Sequence, residues 1–349
     1  MNTLSPQITR AVLSQEKELI HHLWAKNLNT DVSSRFSWLY DGEQASAPFV
    51  FTAKLQESGV VGMIALMRRG FSFRERDIVG GQTIDFLVDK EYRNLFTALN
   101  LQKRAVQAAG EMNIGLIYGF PNKKSEPVQK HIGFKDIGVF QRWVKVLHTE
   151  QQISKMVKSS HAAKPLSAAA DLALHIGSRE FWHSHNRHIH ASIEQGFEHG
   201  FDELWKSVKR HYPLIGERNT GFLSWRFDNC PHRKYRTFCI RDDEKNLLAY
   251  AIFHQQKDRI YVSDFLARDE HCLDQLLVQL NTLMRRSVAS SVSVRFFGCS
   301  EVEEILSRNG FMKRPSEERL LVYAAPDQAF GSYVSKKQAW YMTEADHDT

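Results

Sequence analysis

Two acidic residues in similar surroundings are the first candidates for chemistry in this chain of 349 residues. Asp85 lies in the segment TIDFLVD, and Asp264 lies in VSDFLAR. A carboxylate held near a substrate can take up a proton as a general base. A carboxylate that occurs twice in one sequence can instead brace the fold in both places. Both interpretations of Asp85 stay open at the level of the sequence.

A second group of candidate side chains is rich in histidine and spans residues 183–199. It contains His183, His185, His188, His190 and His199. Neutral imidazoles are good zinc ligands, and His185 and His188 would share one face of a helix. The spacing is loose, however, and the segment has no cysteine and few acids. We therefore expect a surface or connecting helix and no metal site.

The two aspartates belong to a longer series of matching positions. RFSWLYD, which contains Trp38, is similar to FLSWRFD, which contains Trp225. In both copies an apolar segment lies 24 positions after the tryptophan. From each aspartate, 34 positions lead to a glycine at the end of another apolar segment. Landmarks in one order at equal intervals predict an internal duplication.

The elements that must position these residues follow the same order in both copies. Each copy has a helix, hairpin strands, a strand with Asp-Phe-Leu, a long helix, a buried strand, a short helix and final strands. The predicted fold class is α/β, with a mixed sheet in each of two units. The predicted domains are 1–149 and 181–325. A linker rich in Ser, Ala and Lys covers 150–180, and a C-terminal tail covers 326–349.

The composition is that of an ordinary globular protein, with 42% hydrophobic and 25% charged residues. Four scattered cysteines without C-x-x-C spacing indicate reduced thiols and a cytoplasmic location. The N-terminal segment lacks the apolar stretch of a signal peptide, and no run approaches the ~20 apolar residues that span a bilayer, so we expect no membrane partner. The net charge of +6 is spread along the chain, which favours an acidic ligand over nucleic acid as the partner.

The segment VDKEYRNLFTAL, followed by a helix, a strand and the pattern N-x-x-S-x-x-x-Q-x-x-x-GF, resembles the GNAT superfamily of acyl-CoA N-acyltransferases. The positions that match the two family motifs are Val88, Tyr92, Arg93, Ala98, Asn122, Gly133 and Phe134. The resemblance covers the first 147 residues. More narrowly, the chain is similar to tandem-GNAT proteins associated with bacterial surface-polysaccharide loci.

The resemblance implies an acyl-CoA site in the first copy. In this family a strand end that splays from its neighbour pairs with the pantetheine arm, which would place Leu87 and Val88 beside it. The next loop and helix N-terminus bind the pyrophosphate through backbone N–H groups and the helix dipole. The residues implied in this role are Arg93, Asn94, Leu95, Phe96, Thr97 and Ala98, with Asn122 from the later motif. The second copy has RDEHCLDQ at this place, and we expect no cofactor site there.

Two positions depart from the family pattern. Phe96 stands where the first loop glycine is expected, and Gln129 stands where many members have a tyrosine that protonates the leaving thiolate. Glutamine has no titratable proton and cannot do this. The acceptor amine must lose a proton before it attacks a thioester, and Asp85 is one candidate for proton transfer, as a base; Tyr118 is the other candidate, as an acid through its hydroxyl.

The implied activity is transfer of an acyl group from acetyl-CoA or another acyl-CoA to a small-molecule amine. The resemblance suggests an amino sugar or a related metabolite as the acceptor. Two alternatives remain. One is a degenerate GNAT pair that acts as a binding or scaffold module, and the other is an aminoacyl transferase of the FemAB type.

Overall fold

The structure is a computed structural model. It describes residues 6–28, 32–41, 48–56, 58–150, 153–154, 160–183, 186–324 and 331–347. The chain forms two compact units. Unit 1 contains Met1–Val139 and Glu318–Lys337, and unit 2 contains Phe140–Glu317 and Gln338–His347. None of the helices in the described residues combines the length and the apolar character that crossing a membrane requires.

Helices and strands both occur throughout the described residues. The first part contains β1 (Gln7–Arg10), α1 (Leu13–Asn27), α2 (Val32–Tyr40), β2 (Phe49–Leu55), β3 (Gly59–Phe73), β4 (Arg76–Val88), α3 (Leu95–Glu111), β5 (Leu116–Gly119), α4 (Glu126–His131) and β6 (Lys135–Val139). The middle part contains β7 (Gln141–Val146), α5 (Ser160–Ile176), α6 (Arg179–His183), β8 (His190–Glu194), α7 (His199–Val208), β9 (Leu214–Gly216), α8 (Thr220–Leu223), a π-helical turn (Ser224–Asp228), β10 (Arg236–Arg241), β11 (Leu247–Gln256), β12 (Arg259–Ala267), α9 (Glu270–Arg285), β13 (Ser291–Gly298), α10 (Ser300–Arg308) and β14 (Met312–Arg314). The last part contains β15 (Arg319–Ala324), α11 (Gly331–Val334), β16 (Trp340–Met342) and a short 3-10 helix (Glu344–Asp346).

Unit 1 is built on a sheet with the strand order β1-β2-β3-β4-β5-β15-β6. Only the β4–β5 pair among these is parallel. Helix α3 covers one face because its apolar residues recur at helical spacing, and Ala98, Leu101 and Ala105 pack with Val61 and Ile64 of β3. Helix α3 is the next element after β4, so its N-terminus lies near the C-terminal end of β4.

Unit 2 has a sheet with the order β8-β10-β11-β12-β13. The β12–β13 pair is parallel, and β13 also pairs with β7, which in turn pairs with β14. Helix α9 presents Leu273, Leu276, Leu277 and Leu280 to the core of this unit. The C-terminal strand β16 pairs with both β13 and β9.

The two units repeat one order of elements, which confirms the predicted fold class. β2-β3-β4, α3, β5, α4 and β6 of unit 1 correspond to β10-β11-β12, α9, β13, α10 and β14 of unit 2. Trp38 lies in α2 and Trp225 in the π-helical turn, so both are in helical segments. The first copy has eight more residues between its tryptophan and its aspartate than the second, and the longer β3–β4 hairpin accounts for them.

The two compact units do not coincide with the predicted domains, because those domains follow the sequence repeat. Strand β7 directly follows β6 in the sequence but belongs to unit 2, whereas β15 follows β14 and belongs to unit 1. Each unit therefore contains a final strand from the other half of the sequence. Such long-range strand pairing leaves no local signal in the sequence. The bounds 1–149 and 181–325 stay a prediction about the repeat.

Candidate functional site

The pairing between β4 and β5 stops well before β4 ends. The parallel partners are Gly81 with Ile117 and Gln82 with Tyr118, whereas β4 continues to Val88. The hydroxyl of Thr83 still reaches the carbonyl oxygen of Tyr118, at 3.4 Å. Beyond Thr83, no strand among the described residues pairs with β4 on this side. We call this opening, between residues 83–88 of β4 and the end of β5, the fork of unit 1.

A β-bulge lies within the fork. Between the pairs Ala65–Ile84 and Met63–Leu87, β4 contains one residue more than β3. Asp85 is at this bulge and has a φ of 49°, a left-handed conformation that residues other than glycine adopt only rarely. Bulges bend a strand and redirect its side chains, and they are common next to functional sites. The predicted base therefore lies where the strand is most distorted.

The carboxylate of Asp85 is held by two donors from α2. Arg35 donates from Nη2 to Oδ1 at 3.0 Å, and the hydroxyl of Tyr40 donates to Oδ2 at 2.6 Å. The Asp85 side chain is only 9% exposed. These bonds fasten α2 to β4, yet each oxygen keeps acceptor capacity. The geometry is therefore compatible with both predicted roles, a brace and a base. The sequence analysis missed Arg35 and Tyr40, whose only signal was their position beside Trp38.

Tyr118 lies on β5 and is fully buried. Its hydroxyl donates to Oε1 of Gln82 at 3.2 Å, and its ring meets Phe71 edge to face. Gln82 therefore fixes the direction of the hydroxyl. The role of Tyr118 as an acid stays a prediction.

The N-terminus of α3 follows the fork. Asn94 caps the helix, because its Oδ1 accepts from the N–H of Thr97 at 2.8 Å. The N–H of Ala98 bonds to the carbonyl oxygen of Asn94 at 3.3 Å. The N–H groups of Leu95 and Phe96, the first two residues of the helix, lie beyond the reach of the intrahelical ladder. The first turn of α3 thus presents backbone donors and the positive end of the helix dipole.

Side chains at the start of α3 are mostly exposed. Leu95 and Phe96 are 64% and 57% exposed. The guanidinium of Arg93 reaches back to the carbonyl oxygen of Val88 at 3.2 Å, which joins the loop to the end of the fork. Leu87 and Val88 themselves pair with Met63 and Gly62 of β3. The structure thus brings the predicted residues Leu87, Val88 and 93–98 together at the end of β4 and the start of α3.

Three further residues converge at the closed end of the fork. A Cβ atom on Gly119 would overlap the hydroxyl of Thr83, so only glycine fits there. Nε2 of Gln129, on α4, lies 3.4 Å from the same hydroxyl. Gln129 is 3% exposed, and its Oε1 has no hydrogen-bond partner within the part of the chain that the structure describes. The amide oxygen of Gln129 is thus a buried acceptor with unused hydrogen-bonding capacity among the described residues.

Asn122 has a local structural role. Its Oδ1 accepts from the N–H groups of Lys124 and Ser125, at 2.9 and 3.0 Å. These bonds shape the turn that leads into α4, which carries Gln129. Any contact of Asn122 with a ligand stays a prediction.

Unit 2 has an equivalent fork, and its own C-terminal segment bridges it. The β12–β13 pairing ends at Val262 with Val294. Beyond this point Phe297 and Gly298 of β13 pair with β16, and the hydroxyl of Tyr341 donates to the carbonyl oxygen of Phe265 on β12 at 2.6 Å. A Cβ atom on Gly298 would overlap the carbonyl oxygen of Trp340. Strand β16 thus contacts both strands of the fork in unit 2, whereas no strand among the described residues occupies the fork of unit 1.

Asp264 lies at this second fork in a fully buried network. Its carboxylate accepts from Arg218, Thr343 and Tyr250, and Arg218 also donates to Asp346. Burial raises the pKa of Asp264 above its ordinary value, although the Arg218 guanidinium opposes this shift. Asp264 therefore ties the C-terminal segment to β12. The sequence analysis missed this network because Arg218 and the tail are far from Asp264 in sequence.

The histidine-rich segment is not one helix: His183 ends α6, a turn and the strand β8 follow, and His199 begins α7. His188 precedes β8 and His190 begins it, so the expected helix ends at His183, and His185 lies outside the described residues. His188 and His190 both contact Asp243, at 2.8 and 3.0 Å. Among the described residues, no group of three or more His, Cys, Asp or Glu side chains is placed to hold a metal ion.

Comparisons with known proteins give the fold. No protein-family model and no curated protein matches the sequence. A protein from Enterococcus faecalis, described as a probable N-acyltransferase, matches 94% of this chain with 74% of its own, at a TM-score of 0.66 and 10% identity. A GCN5-related N-acetyltransferase from Anabaena variabilis matches 91% of this chain with 72% of its own, at a TM-score of 0.64 and 13% identity. The chain has the GNAT fold. A Saccharomyces cerevisiae N-myristoyltransferase with bound myristoyl-CoA matches 98% of the chain with 86% of its own, at a TM-score of 0.55 and 10% identity.

Proposed function

We propose that this protein is an acyl-CoA-dependent N-acyltransferase whose acyl donor binds to unit 1. The observation that carries the proposal is the fork of unit 1, which leads directly into the N-terminus of α3. Unpaired strand backbone suits an extended arm that contains amides, and a helix N-terminus attracts phosphate groups. The names of the matching GNAT-fold structures, acetyltransferases and a myristoyltransferase, support a donor of this class.

Each predicted residue has a place in this proposal. The backbone of Leu87 and Val88 pairs with the pantetheine arm. The N–H groups of Leu95 and Phe96 face the pyrophosphate, together with the guanidinium of Arg93. The remaining predicted residues, Asn94, Thr97, Ala98 and Asn122, act by shaping the helix start and the turn before α4, because the side chains of Asn94 and Asn122 and the N–H groups of Thr97 and Ala98 form local hydrogen bonds.

The reaction forms a bond between the amine nitrogen and the acyl carbon and breaks the bond between that carbon and sulfur. The amine loses one proton, and the sulfur takes up one proton to become a thiol. We propose that Asp85 takes up the proton that the amine loses, directly or through water, since Arg35 and Tyr40 hold its carboxylate in place. We propose that the hydroxyl of Tyr118 donates the proton that the sulfur takes up. Gln129 lies at the closed end of the fork and can only donate or accept hydrogen bonds.

The proposed acceptor is a small-molecule amine, with amino sugars as the first class to test. We place the reaction in the cytoplasm, which agrees with four unpaired cysteines. Unit 2 is proposed to bind no acyl-CoA, because β16 contacts both strands of its fork and α9 starts at acidic residues, Asp269 and Glu270.

A second candidate function is ligand binding without acyl transfer. Two features favour it. Phe96 replaces a loop glycine, and Gln129 has no titratable proton at a position where the family often has an acid. In this case acyl-CoA would bind, and no acceptor would be acylated.

The test is binding of acetyl-CoA to the full chain, measured as the shift in melting temperature and as the dissociation constant. A ligand at about 100 times its Kd stabilises the folded state by ~2.7 kcal/mol, which gives a clear shift. Arg93→Glu should abolish it, because a carboxylate would then face the pyrophosphate. Lys103→Glu is the matched control, since Lys103 is exposed on the same helix, roughly 12 Å along its axis from the N-terminus. It should bind like the wild type.

Three results would oppose the proposal. Absence of binding at millimolar acetyl-CoA and longer acyl-CoAs would remove the donor site. Binding with equal weakening by Arg93→Glu and Lys103→Glu would show a general charge effect and not a site. Binding without acylation of any amine in a panel would favour the second candidate.

A further inference from the structure

Unit 2 contains a concave site at the edge of its sheet. The cavity has a volume of about 780 Å³. Its walls are the end of the edge strand β8, the end of the π-helical turn and the loop that leads into β10. Cavities of this volume typically hold small organic molecules. None of the residues assigned to the donor site lies in it.

The lining of the cavity is strongly basic. Arg233, Lys234 and Arg236 lie within four consecutive positions of one wall. In the described part of the chain, none of the three forms an ion pair with a carboxylate. Arg236 packs over the ring of Phe253, at 5.7 Å, and Arg233 is exposed. Three cations on one concave wall without counter-charges create a positive potential inside the cavity.

The acidic lining residues do not neutralise this charge. Glu194 is held by Arg241, which donates to both its oxygens at 2.9 and 2.7 Å. Asp228, at the end of the π-helical turn, is the remaining carboxylate of the lining. The cavity lining therefore contains three cations and one carboxylate that is not already engaged by an arginine. Asp228 can accept hydrogen bonds from hydroxyl or amine groups of a ligand.

We propose that this cavity is a binding site for a phosphorylated small molecule. Arginine side chains present paired donors that match the geometry of phosphate oxygens, and lysine adds a point charge. The volume exceeds that of a phosphate ion, so the ligand has an organic part, and Asp228 selects one with hydroxyl or amine donors. This proposal does not depend on the donor site of unit 1.

The test is binding of inorganic pyrophosphate to the full chain, measured by isothermal titration calorimetry. All proteins carry Arg93→Glu, so that the N-terminus of α3 does not contribute. The variant Arg233→Glu/Lys234→Glu reverses two charges of the cavity. The control Lys206→Glu/Arg210→Glu makes the same charge change at exposed positions of unit 2 outside the cavity. Melting temperatures establish that both double variants are folded.

We expect one site per chain, with binding at least tenfold weaker in Arg233→Glu/Lys234→Glu and within about twofold of the parent in the control. Absence of pyrophosphate binding at millimolar concentration, or an equal loss in both double variants, would overturn the proposal. Vesicles that contain phosphatidic acid and a single-stranded oligonucleotide serve as further probes. If these bind through Arg233 and Lys234 while pyrophosphate does not, the surface recognises a lipid or a nucleic acid and the small-molecule assignment is wrong.

Discussion

At the scale of single residues, two aspartates in matching positions have different surroundings. Asp85 accepts from Arg35 and Tyr40 and keeps some contact with solvent. Asp264 is fully buried and accepts from three side chains, one of them in the C-terminal segment. A carboxylate that never meets solvent or substrate is a brace. The structure therefore separates the two residues that the sequence repeat treats alike.

This difference predicts different effects of the same substitution. Asp264→Asn should lower the free energy of unfolding by about 1–3 kcal/mol, because an amide cannot accept from Arg218, Thr343 and Tyr250 as the buried carboxylate does. Asp85→Asn should lower turnover by about 10²–10⁴-fold, the usual contribution of a general base, with acetyl-CoA affinity nearly unchanged. Denaturant unfolding, kcat and KM of both variants check this. Equal loss of stability in both, with turnover per folded molecule preserved, would remove Asp85 from the mechanism.

A buried histidine predicts a pH dependence of stability. His254 stacks on Tyr261 and meets Tyr235 edge to face, and burial together with the charge of Arg233 lowers its pKa to about 4. In the unfolded chain its pKa is near 6.5. The unfolded state therefore binds more protons between these values, so His254 makes the fold less stable as the pH falls from about 6.5 to about 4.

His254→Gln should remove this contribution. Urea unfolding at pH 7, 6 and 5 should show a smaller loss of stability for the variant than for the wild type, by no more than about 3 kcal/mol over the whole window. Equal slopes for the two proteins would show that His254 titrates normally in the fold.

At the scale of elements, the two forks differ in what pairs with them. Unit 1 leaves β4 without a strand partner beyond Thr83, whereas β16 in unit 2 bonds to both β12 and β13. The residues of β16 are almost completely buried. The C-terminal segment is thus part of the core of unit 2.

The close approach of β16 makes Gly298 sensitive to substitution. Gly298→Ala would place a Cβ atom against the carbonyl oxygen of Trp340, and we expect a loss of about 2–4 kcal/mol in the free energy of unfolding. Gly221→Ala is the matched control, because a Cβ atom there meets only Asn219, at 3.6 Å. Thermal and urea unfolding measure both. A near-neutral Gly298→Ala would show that β16 does not pack tightly in unit 2.

The order of the elements was predictable from the sequence, and their long-range partners were not. The intervals from Trp38 and Trp225 predicted corresponding strands and helices, because apolar periodicity and turn residues are local signals. The position of β16 depends on pairing between residues more than 40 positions apart. Likewise, no pattern in RFSWLYD indicated that Arg35 and Tyr40 would hold Asp85.

At the scale of the whole molecule, each unit contains a strand from the other half of the sequence. Unit 1 includes β15, which pairs with β5 and β6, and unit 2 includes β7, which pairs with β13 and β14. β15 thus borders the strand that forms one side of the fork of unit 1. The unit that contains the proposed donor site therefore includes residues after Glu318 as well as the first 139.

We propose that acyl-CoA binds at the fork of unit 1 and not at the fork of unit 2. Hydrogen exchange measured by mass spectrometry, with and without saturating acetyl-CoA, tests it most directly. We expect slower exchange in peptides that cover residues 83–98 and unchanged exchange in peptides that cover residues 262–272. Protection confined to residues 262–272, or no protection in either segment despite measured binding, would contradict the account.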